Sequence, residues 1–208
     1  MAGSTWAVFV EGLDDLKNIP ELDNQVRRLR AAQAINETAR HGRSKIADDI
    51  HDQVNFPAGY LKPSTGRLTV AQQATKAKLE ARIRARGAPT PLARFSVGNP
   101  KPSSRGGVHV MVHPGKARFM RRAFVMKLRS GSADIETKFN LGLAIRLRPG
   151  ETLQNKKYFR RVESNLYLLY GPSVNQVFRA NDGDGVASDR APYLSDHLAD
   201  EFSRLLGL

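Results

Sequence analysis

The chain has 208 residues and a mass of 23.0 kDa, which is long enough to bury one hydrophobic core without disulfides or a structural metal. Its 33 Lys and Arg against 20 Asp and Glu give a formal net charge of +13. An acidic partner is therefore expected: nucleic acid, an anionic membrane or the acidic surface of a protein. The absence of cysteine excludes disulfides, zinc fingers, thiolate metal sites and thiol nucleophiles.

The first residues predict a short strand and no export signal. Residues 6–10 alternate in the pattern of a strand, and Gly12 ends it. This N-terminus has neither a basic segment nor a long apolar one, and no apolar run of transmembrane length follows. We therefore expect a soluble protein that is made and kept inside a cell, and a membrane is the least favoured of its acidic partners.

A long helix is predicted next, over residues 21–54. Apolar side chains recur there at helical spacing between Pro20 and Pro57. Such a helix would be about 50 Å long at about 1.5 Å per residue, which is too long for one side of a compact domain of this size. We expect it to bend, break or project. Gly42 is the expected weak point, because glycine in a helix interior costs about 1 kcal/mol relative to alanine.

The middle of the chain predicts a sheet of about five strands. Strict alternation over residues 75–86 indicates a strand with a basic, exposed face formed by Arg82, Arg84 and Arg86. The same residues are good helix formers, so a helix is the alternative there. Further strands are predicted at residues 108–112, 123–128, 141–147 and 166–170.

Residues 87–107 are rich in proline and glycine and predict an extended arm or loop. In an assembly protein, such an arm reaches a neighbouring subunit. Near the C-terminus an apolar stripe predicts a helix that is capped by Ser188 or Asp189 and packs on the sheet. The elements together predict a single α+β domain over residues 1–208, with an antiparallel or mixed sheet packed by the long N-terminal helix and the C-terminal helix.

No motif points to catalysis, a metal or a cofactor. The chain contains no nucleophile elbow, no P-loop and no dinucleotide-binding glycine motif. His109 and His113 fall in a predicted strand, where residues four apart are about 13 Å apart and cannot share a metal ion. Residues 181–185 begin like a calcium loop but lack the glutamate at its twelfth position. We therefore expect no enzyme activity, no cofactor and no bound metal.

Three basic clusters are candidate contacts to an acidic partner or to DNA. Aromatic residues interleave with two of them, as in stacking platforms for single strands, but no RNP-like or helix-turn-helix pattern occurs. Contact to the phosphate backbone is therefore favoured over specific readout. The clusters are Arg82, Arg84 and Arg86; Lys116, Arg118, Arg121 and Arg122; and Lys156, Lys157, Arg160 and Arg161.

Several segments resemble a bacteriophage family. Residues 10–16 (VEGLDDL), which lead into the long helix, resemble the start of tail-completion and neck components of long-tailed phages. More specifically, residues 54–61 (VNFPAGYL), 85–95 (ARGAPTPLARF) and 169–174 (LYGPSV) are similar to the phage minor tail protein Z family, in the same order and across most of the chain.

This resemblance implies a structural virion protein at the head-proximal end of the tail, made in the host cytoplasm. It implies a homo-oligomeric ring around the DNA channel, with heterologous contacts between subunits and with the connector and tail terminator as neighbours. Residues 87–107 would then be an intersubunit arm. Gly171, Pro172 and Ser173 would form a structural turn that fixes the approach to the C-terminal helix.

Two other functions stay open from the residues alone. A soluble basic nucleic-acid-binding protein would account for the net charge of +13. A toxin or nuclease-like enzyme would use Asp48, Asp52 and His51, which lie close together on the predicted helix. These alternatives predict, in turn, salt-sensitive DNA binding and a metal-dependent activity that needs Asp48.

Overall fold

A computed structural model shows that the chain is an α+β protein. The structure describes residues 7–9, 24–102, 106–128, 140–154, 158–179 and 186–206. Contacts group the chain into two compact units. The first unit is Met1–Ile50, Leu61–Gly87 and Phe178–Leu208, and the second unit is His51–Tyr60 and Ala88–Val177. Because these segments alternate along the sequence, no single cut separates the units, and the single domain over residues 1–208 stays a prediction.

The long helix α1 (Asn24–Gln53) runs for 30 residues without interruption, about 45 Å at about 1.5 Å per residue. The break expected at Gly42 is not found. A Cβ atom at Gly42 would overlap the side chain of Leu194, so the glycine permits close packing rather than a break. Among the described residues, no helix is long and apolar enough to cross a membrane.

The C-terminal helix α4 (Ala191–Leu206) packs against α1 in the first unit. Leu198 of α4 shares a buried cluster with the alanines of α1 and with Ile35, and Val70 packs against the same cluster. The predicted cap is wrong by one or two residues, because Asp189 ends the short helix α3 (Val186–Asp189) and Arg190 directly precedes α4.

A small sheet in the first unit contains β1 (Ala7–Phe9), β2 (Leu68–Gln72) and β3 (Arg82–Ala85), in the antiparallel order β1-β3-β2. The strand predicted over residues 75–86 is therefore confirmed only at its end. The N–H of Thr75 donates to the carbonyl of Lys78 at 2.8 Å, and the N–H of Lys78 donates to Oγ1 of Thr75 at 3.1 Å. This side-chain turn displaces the strand ladder over the first residues of the segment.

The second unit contains a five-stranded antiparallel sheet, to which three of the predicted strands belong, those at residues 123–128, 141–147 and 166–170. Its order is β4-β10-β8-β7, and β9 also pairs with β10. A separate hairpin is formed by β5 and β6, and the short helix α2 (Val174–Arg179) follows the last strand. The strands are β4 (Thr90–Pro91), β5 (Val108–His113), β6 (Lys116–Met120), β7 (Ala123–Lys127), β8 (Leu141–Arg146), β9 (Phe159–Arg161) and β10 (Leu166–Gly171).

Three buried rings, Phe56, Tyr60 and Phe95, form an aromatic cluster in the second unit. The rings of Phe56 and Tyr60 stack with centroids 5.0 Å apart, and Phe95 lies 5.6 Å from Phe56. The hydroxyl of Tyr60 lies 3.2 Å from that of the buried Thr90. Part of the predicted arm is thus in the core, because β4 and the turn Leu92–Phe95 carry buried side chains.

The predicted turn after β10 has two structural functions. Gly171 pairs with Thr90, and a Cβ atom there would lie 2.9 Å from the Phe95 ring, so only glycine fits without moving the ring. Ser173 caps α2: the N–H of Gln176 donates to its Oγ at 3.1 Å, and its own N–H donates to Oε1 of Gln176 at 2.8 Å. This reciprocal arrangement is a capping box. Pro172 stands between these two positions.

Replacement of Ser173 by alanine should lower the free energy of unfolding by about 1 kcal/mol, because α2 loses its N-cap acceptor. Ser173→Thr keeps the hydroxyl acceptor without a buried charge and should cost much less. Urea denaturation of the three proteins measures both effects. Equal stability of the alanine variant and the wild type would show that the capping box contributes nothing.

Loss of the Phe95 ring should destabilise the chain strongly. Phe95 is 2% exposed and Phe119 is 52% exposed, so Phe119 is the exposed control for the buried Phe95. Phe95→Ala should lower the free energy of unfolding by about 3 to 5 kcal/mol, whereas Phe119→Ala should change it by about 0.5 kcal/mol or less. Denaturant melts measure both values, and Phe95→Leu extends the series if the alanine variant is unfolded. Similar losses at both positions would contradict the aromatic cluster's importance.

Candidate nucleic-acid interface

The net positive charge of this protein lies almost entirely in the second unit, although each unit contains a similar number of Lys and Arg. That unit contains 16 Lys and Arg against 5 Asp and Glu, a formal net charge of +11. The first unit contains 17 against 15, a net charge of +2. A polyanion is therefore attracted to the second unit far more strongly than to the first.

The basic residues are also concentrated in one stretch of the sequence. Residues 81–133 contain 12 Lys and Arg and no Asp or Glu. Most soluble surfaces intersperse charges of both signs. A stretch of one sign over this length attracts anions.

The three arginines predicted on β3 are in the first unit, and their charges are partly neutralised. Glu80 forms ion pairs with Arg82 and, at 2.9 Å, with Lys78. The hydrogen bonds from Arg82 and Lys78 lower the pKa of the Glu80 carboxyl below its ordinary value. Arg84 is exposed in the middle strand between Ala7 and Thr69.

The third of these arginines, Arg86, lies just after β3 and is half-buried. The backbone N–H of Arg86 donates to the backbone carbonyl of Arg67 at 2.8 Å. Arg84 is thus the one member of this cluster with a fully exposed side chain. A continuous basic face on β3 does not form.

The β5–β6 hairpin presents the second cluster in a different way. Every residue from Lys116 to Phe119 is exposed, so β6 is open to solvent on both faces. Lys116, Arg118 and Arg121 are all exposed, and within the described part of the chain no carboxylate forms an ion pair with any of them. These three residues are named the hairpin cations.

The hairpin is held to the second unit through β5. The N–H of Val97 donates to the carbonyl of His109 at 2.9 Å, and the N–H of Asn55 donates to that of Val112 at 2.8 Å. Val108 and Val110 bury their side chains beneath the strand. Among the described strands, β6 pairs only with β5, so its outer edge is available to a partner.

An exposed aromatic ring, that of Phe119, belongs to the same strand as Lys116 and Arg118. Phe119 is 52% exposed, and its ring centroid lies 4.7 Å from that of His109, its partner across the strands. The ring also covers Gly107, where a Cβ atom would lie 2.7 Å from it. This is the combination of cations and exposed ring that the sequence predicted.

Arg122, by contrast, has a structural function. Its guanidinium donates to both carboxylate oxygens of Glu151, at 2.7 and 2.8 Å, and to the carbonyl of Arg146 at 2.8 Å. The pKa of Glu151 is lowered to about 2, first by Arg122 and then by the backbone N–H of Arg148. Arg122 therefore joins two segments of the second unit, and its charge is neutralised.

The third basic cluster is only partly described, since Lys156 and Lys157 lie outside the described residues. Arg160 and Arg161 are exposed on β9. Nε of Arg161 donates to the carbonyl of Glu163 at 3.1 Å. Residues 181–185, the calcium-loop pattern, also lie outside the described residues.

The structure also forms a cluster that no sequence pattern marked. The rings of His41 and His197 stack with centroids 4.5 Å apart, and Nε2 of His41 lies 2.6 Å from the hydroxyl of Tyr193. The two histidines are 156 positions apart in sequence, so only the packing of α1 against α4 brings them together. Within the described ranges, no three His, Asp or Glu side chains lie close enough to hold a metal ion.

Among the described residues, Asp48, His51 and Asp52 do not form a group that could hold a metal ion. Asp49 forms a bidentate ion pair with Arg190. Nε of Arg190 donates to Oδ2 of Asp49 at 2.6 Å, and Nη2 donates to Oδ1 at 2.5 Å. Asp48 is exposed, as is Asp52, and His51 is half-buried. This stretch of α1 is a solvated helix face with one structural ion pair.

Comparison with known proteins returns no match: no protein-family model, no curated protein and no solved structure is significantly similar to this chain.

The Arg122–Glu151 pair predicts a pH dependence. Because the folded-state pKa of Glu151 is lowered from 4.5 to about 2, the pair stabilises the fold above about pH 4.5. This stabilisation is lost as pH falls towards 2. In Arg122→Gln, an NMR titration of the Glu151 side-chain carbon should give a midpoint shifted upward towards 4.5.

Glu201 is the internal control for this titration, because its pKa is lowered by Arg204 and should not respond to the Arg122 variant. An unchanged Glu151 midpoint in Arg122→Gln would show that the backbone N–H of Arg148 alone holds the carboxylate.

Proposed function

We propose that this chain is a non-enzymatic structural protein of a long-tailed bacteriophage. It acts as a tail-completion or neck component of the minor tail protein Z type, at the junction of head and tail. Identical subunits form a ring around the DNA channel, with the connector and tail terminator as neighbours. The protein is made in the host cytoplasm and becomes part of the virion.

The observation that carries this proposal is the convergence of the three family-like segments. Residues 54–61 supply Phe56 and Tyr60, residues 85–95 supply Thr90 and Phe95, and residues 169–174 supply Gly171. All five residues lie in or against the aromatic cluster. Segments more than a hundred residues apart in sequence thus build one core, so the resemblance concerns residues that determine the fold.

The division of charge supports a position beside DNA. A ring subunit around a DNA channel meets phosphate on one side and protein on the other. A second unit of net charge +11 and a first unit of +2 match these two environments. The division of charge thus supports a position of the second unit beside DNA.

The same charge division favours one other function, a soluble nucleic-acid-binding protein that acts outside a virion. Such a protein would bind DNA in isolation with a steep dependence on salt. It would not be required for particles to form, which separates it from the neck protein.

Deletion of this gene from the phage or prophage that carries it tests the proposal. Negative-stain electron microscopy and a plaque count should show separate heads and tails, or joined particles that do not infect. Supply of the wild-type gene from a plasmid should restore infection, and supply of a copy with an early stop codon should not.

Complete and infectious particles after the deletion would overturn the proposal. The soluble nucleic-acid-binding protein would then become the leading function. Antibody labelling of wild-type particles adds the location, which should be the head-proximal end of the tail.

A further inference from the structure

The geometry points to the β5–β6 hairpin as the surface that contacts DNA, with Lys116, Arg118 and Arg121 binding its phosphate backbone. The arginines of β3 and Arg122 are not part of this surface. The inference rests on the proposed function only for the kind of nucleic acid that is met, duplex DNA in a channel. The location of the contact follows from the chain itself.

The first argument is the availability of charge. Arg82 is paired with Glu80 and Arg122 with Glu151, so neither offers a free cation to a partner. The hairpin cations are exposed, and no described carboxylate pairs with them. They also lie within the acid-free residues 81–133, so no acidic residue is adjacent to them in the sequence.

The second argument is the chemistry of the partner. Protein interfaces deplete lysine in their buried centre, although they enrich arginine and phenylalanine. The hairpin carries three exposed cations of one sign and an exposed ring, Phe119. Duplex DNA offers a dense row of negative charges for the three cations. Charge complementarity therefore favours DNA over an acidic protein surface.

The third argument is the shape of the hairpin. β6 is exposed on both faces, whereas β5 is anchored by hydrogen bonds to Asn55 and by the buried Val108 and Val110. A two-stranded ribbon fixed along one strand presents the other strand rigidly. Lys116 and Arg118 are two positions apart, so they lie on the same face of β6, where a duplex in contact with the strand can reach both.

A purely structural explanation for the same cations is that they protect the unpaired edge of β6 from association with other chains. Charged side chains, lysine above all, prevent an unpaired edge strand from pairing with other chains. Under this explanation the loss of the cations would cause aggregation and leave DNA binding unchanged. The two explanations thus predict different measurements on the same variant.

The test is the binding of a short fluorescent duplex of random sequence to the purified full chain, followed by anisotropy between about 50 and 200 mM salt. The hairpin variant is Lys116→Gln, Arg118→Gln and Arg121→Gln together. The matched control is Lys45→Gln, Lys62→Gln and Arg84→Gln, which removes three exposed cations of the first unit. Both variants lower the net charge equally, and thermal melts and gel filtration establish that both are folded and unaggregated.

The wild type should bind with a negative slope of log affinity against log salt concentration. In the hairpin variant this slope should be smaller in magnitude by about 2 to 3, because each phosphate contact contributes about 0.9. The control should keep the wild-type slope. If both variants lose affinity equally, or if the wild type does not bind, the inference is overturned. Self-association through the hairpin without DNA binding would overturn it in favour of a protein partner.

The two proposals can fail separately. DNA binding through the hairpin together with complete particles after gene deletion would leave this inference standing and overturn the neck assignment. Defective particles together with a purified chain that does not bind DNA would support the neck assignment and overturn this inference.

Discussion

The second unit depends on the packing of the Phe56, Tyr60 and Phe95 rings with one another and of Phe95 against Gly171. These rings join the segment after α1, the turn before the hairpin and the end of β10. Each ring is almost fully buried, and Gly171 leaves no space for a side chain beside Phe95. A packed interior tolerates little change in volume, so the identity of these residues is constrained by the fold.

The same constraint positions the candidate interface. Phe95 is followed by Ser96 and Val97, which form a bridge and a hydrogen bond with β5. The aromatic cluster thus fixes the strand from which β6 extends. A region of high positive charge repels itself and opposes folding. An anchored hairpin with buried valines is a physical means of keeping such a region in one conformation.

Local ion pairs decide which cations are available to a partner. Arg121 and Arg122 are adjacent and look equivalent in the sequence, yet only Arg122 reaches Glu151. Arg82 and Arg84 lie on one face of the same strand, yet only Arg82 reaches Glu80. A count of basic residues overestimates the surface that can bind an anion, since paired cations contribute little to its field.

The sequence by itself determined the fold class, most of the strands and both long helices, because alternation and helical periodicity are local properties of the chain. It also marked Gly171, Pro172 and Ser173 as a connection to a helix, although the helix that follows is α2 and not the C-terminal helix. It failed at residues 75–81, where the side chain of Thr75 forms a turn, and at Gly42, where tertiary packing offsets the low helix propensity of glycine. Tertiary structure alone decided the separation of net charge between the units, the ion pair of Arg122 with Glu151 and the stacking of His41 on His197. Each of these depends on contacts between residues far apart in sequence, which no local pattern encodes.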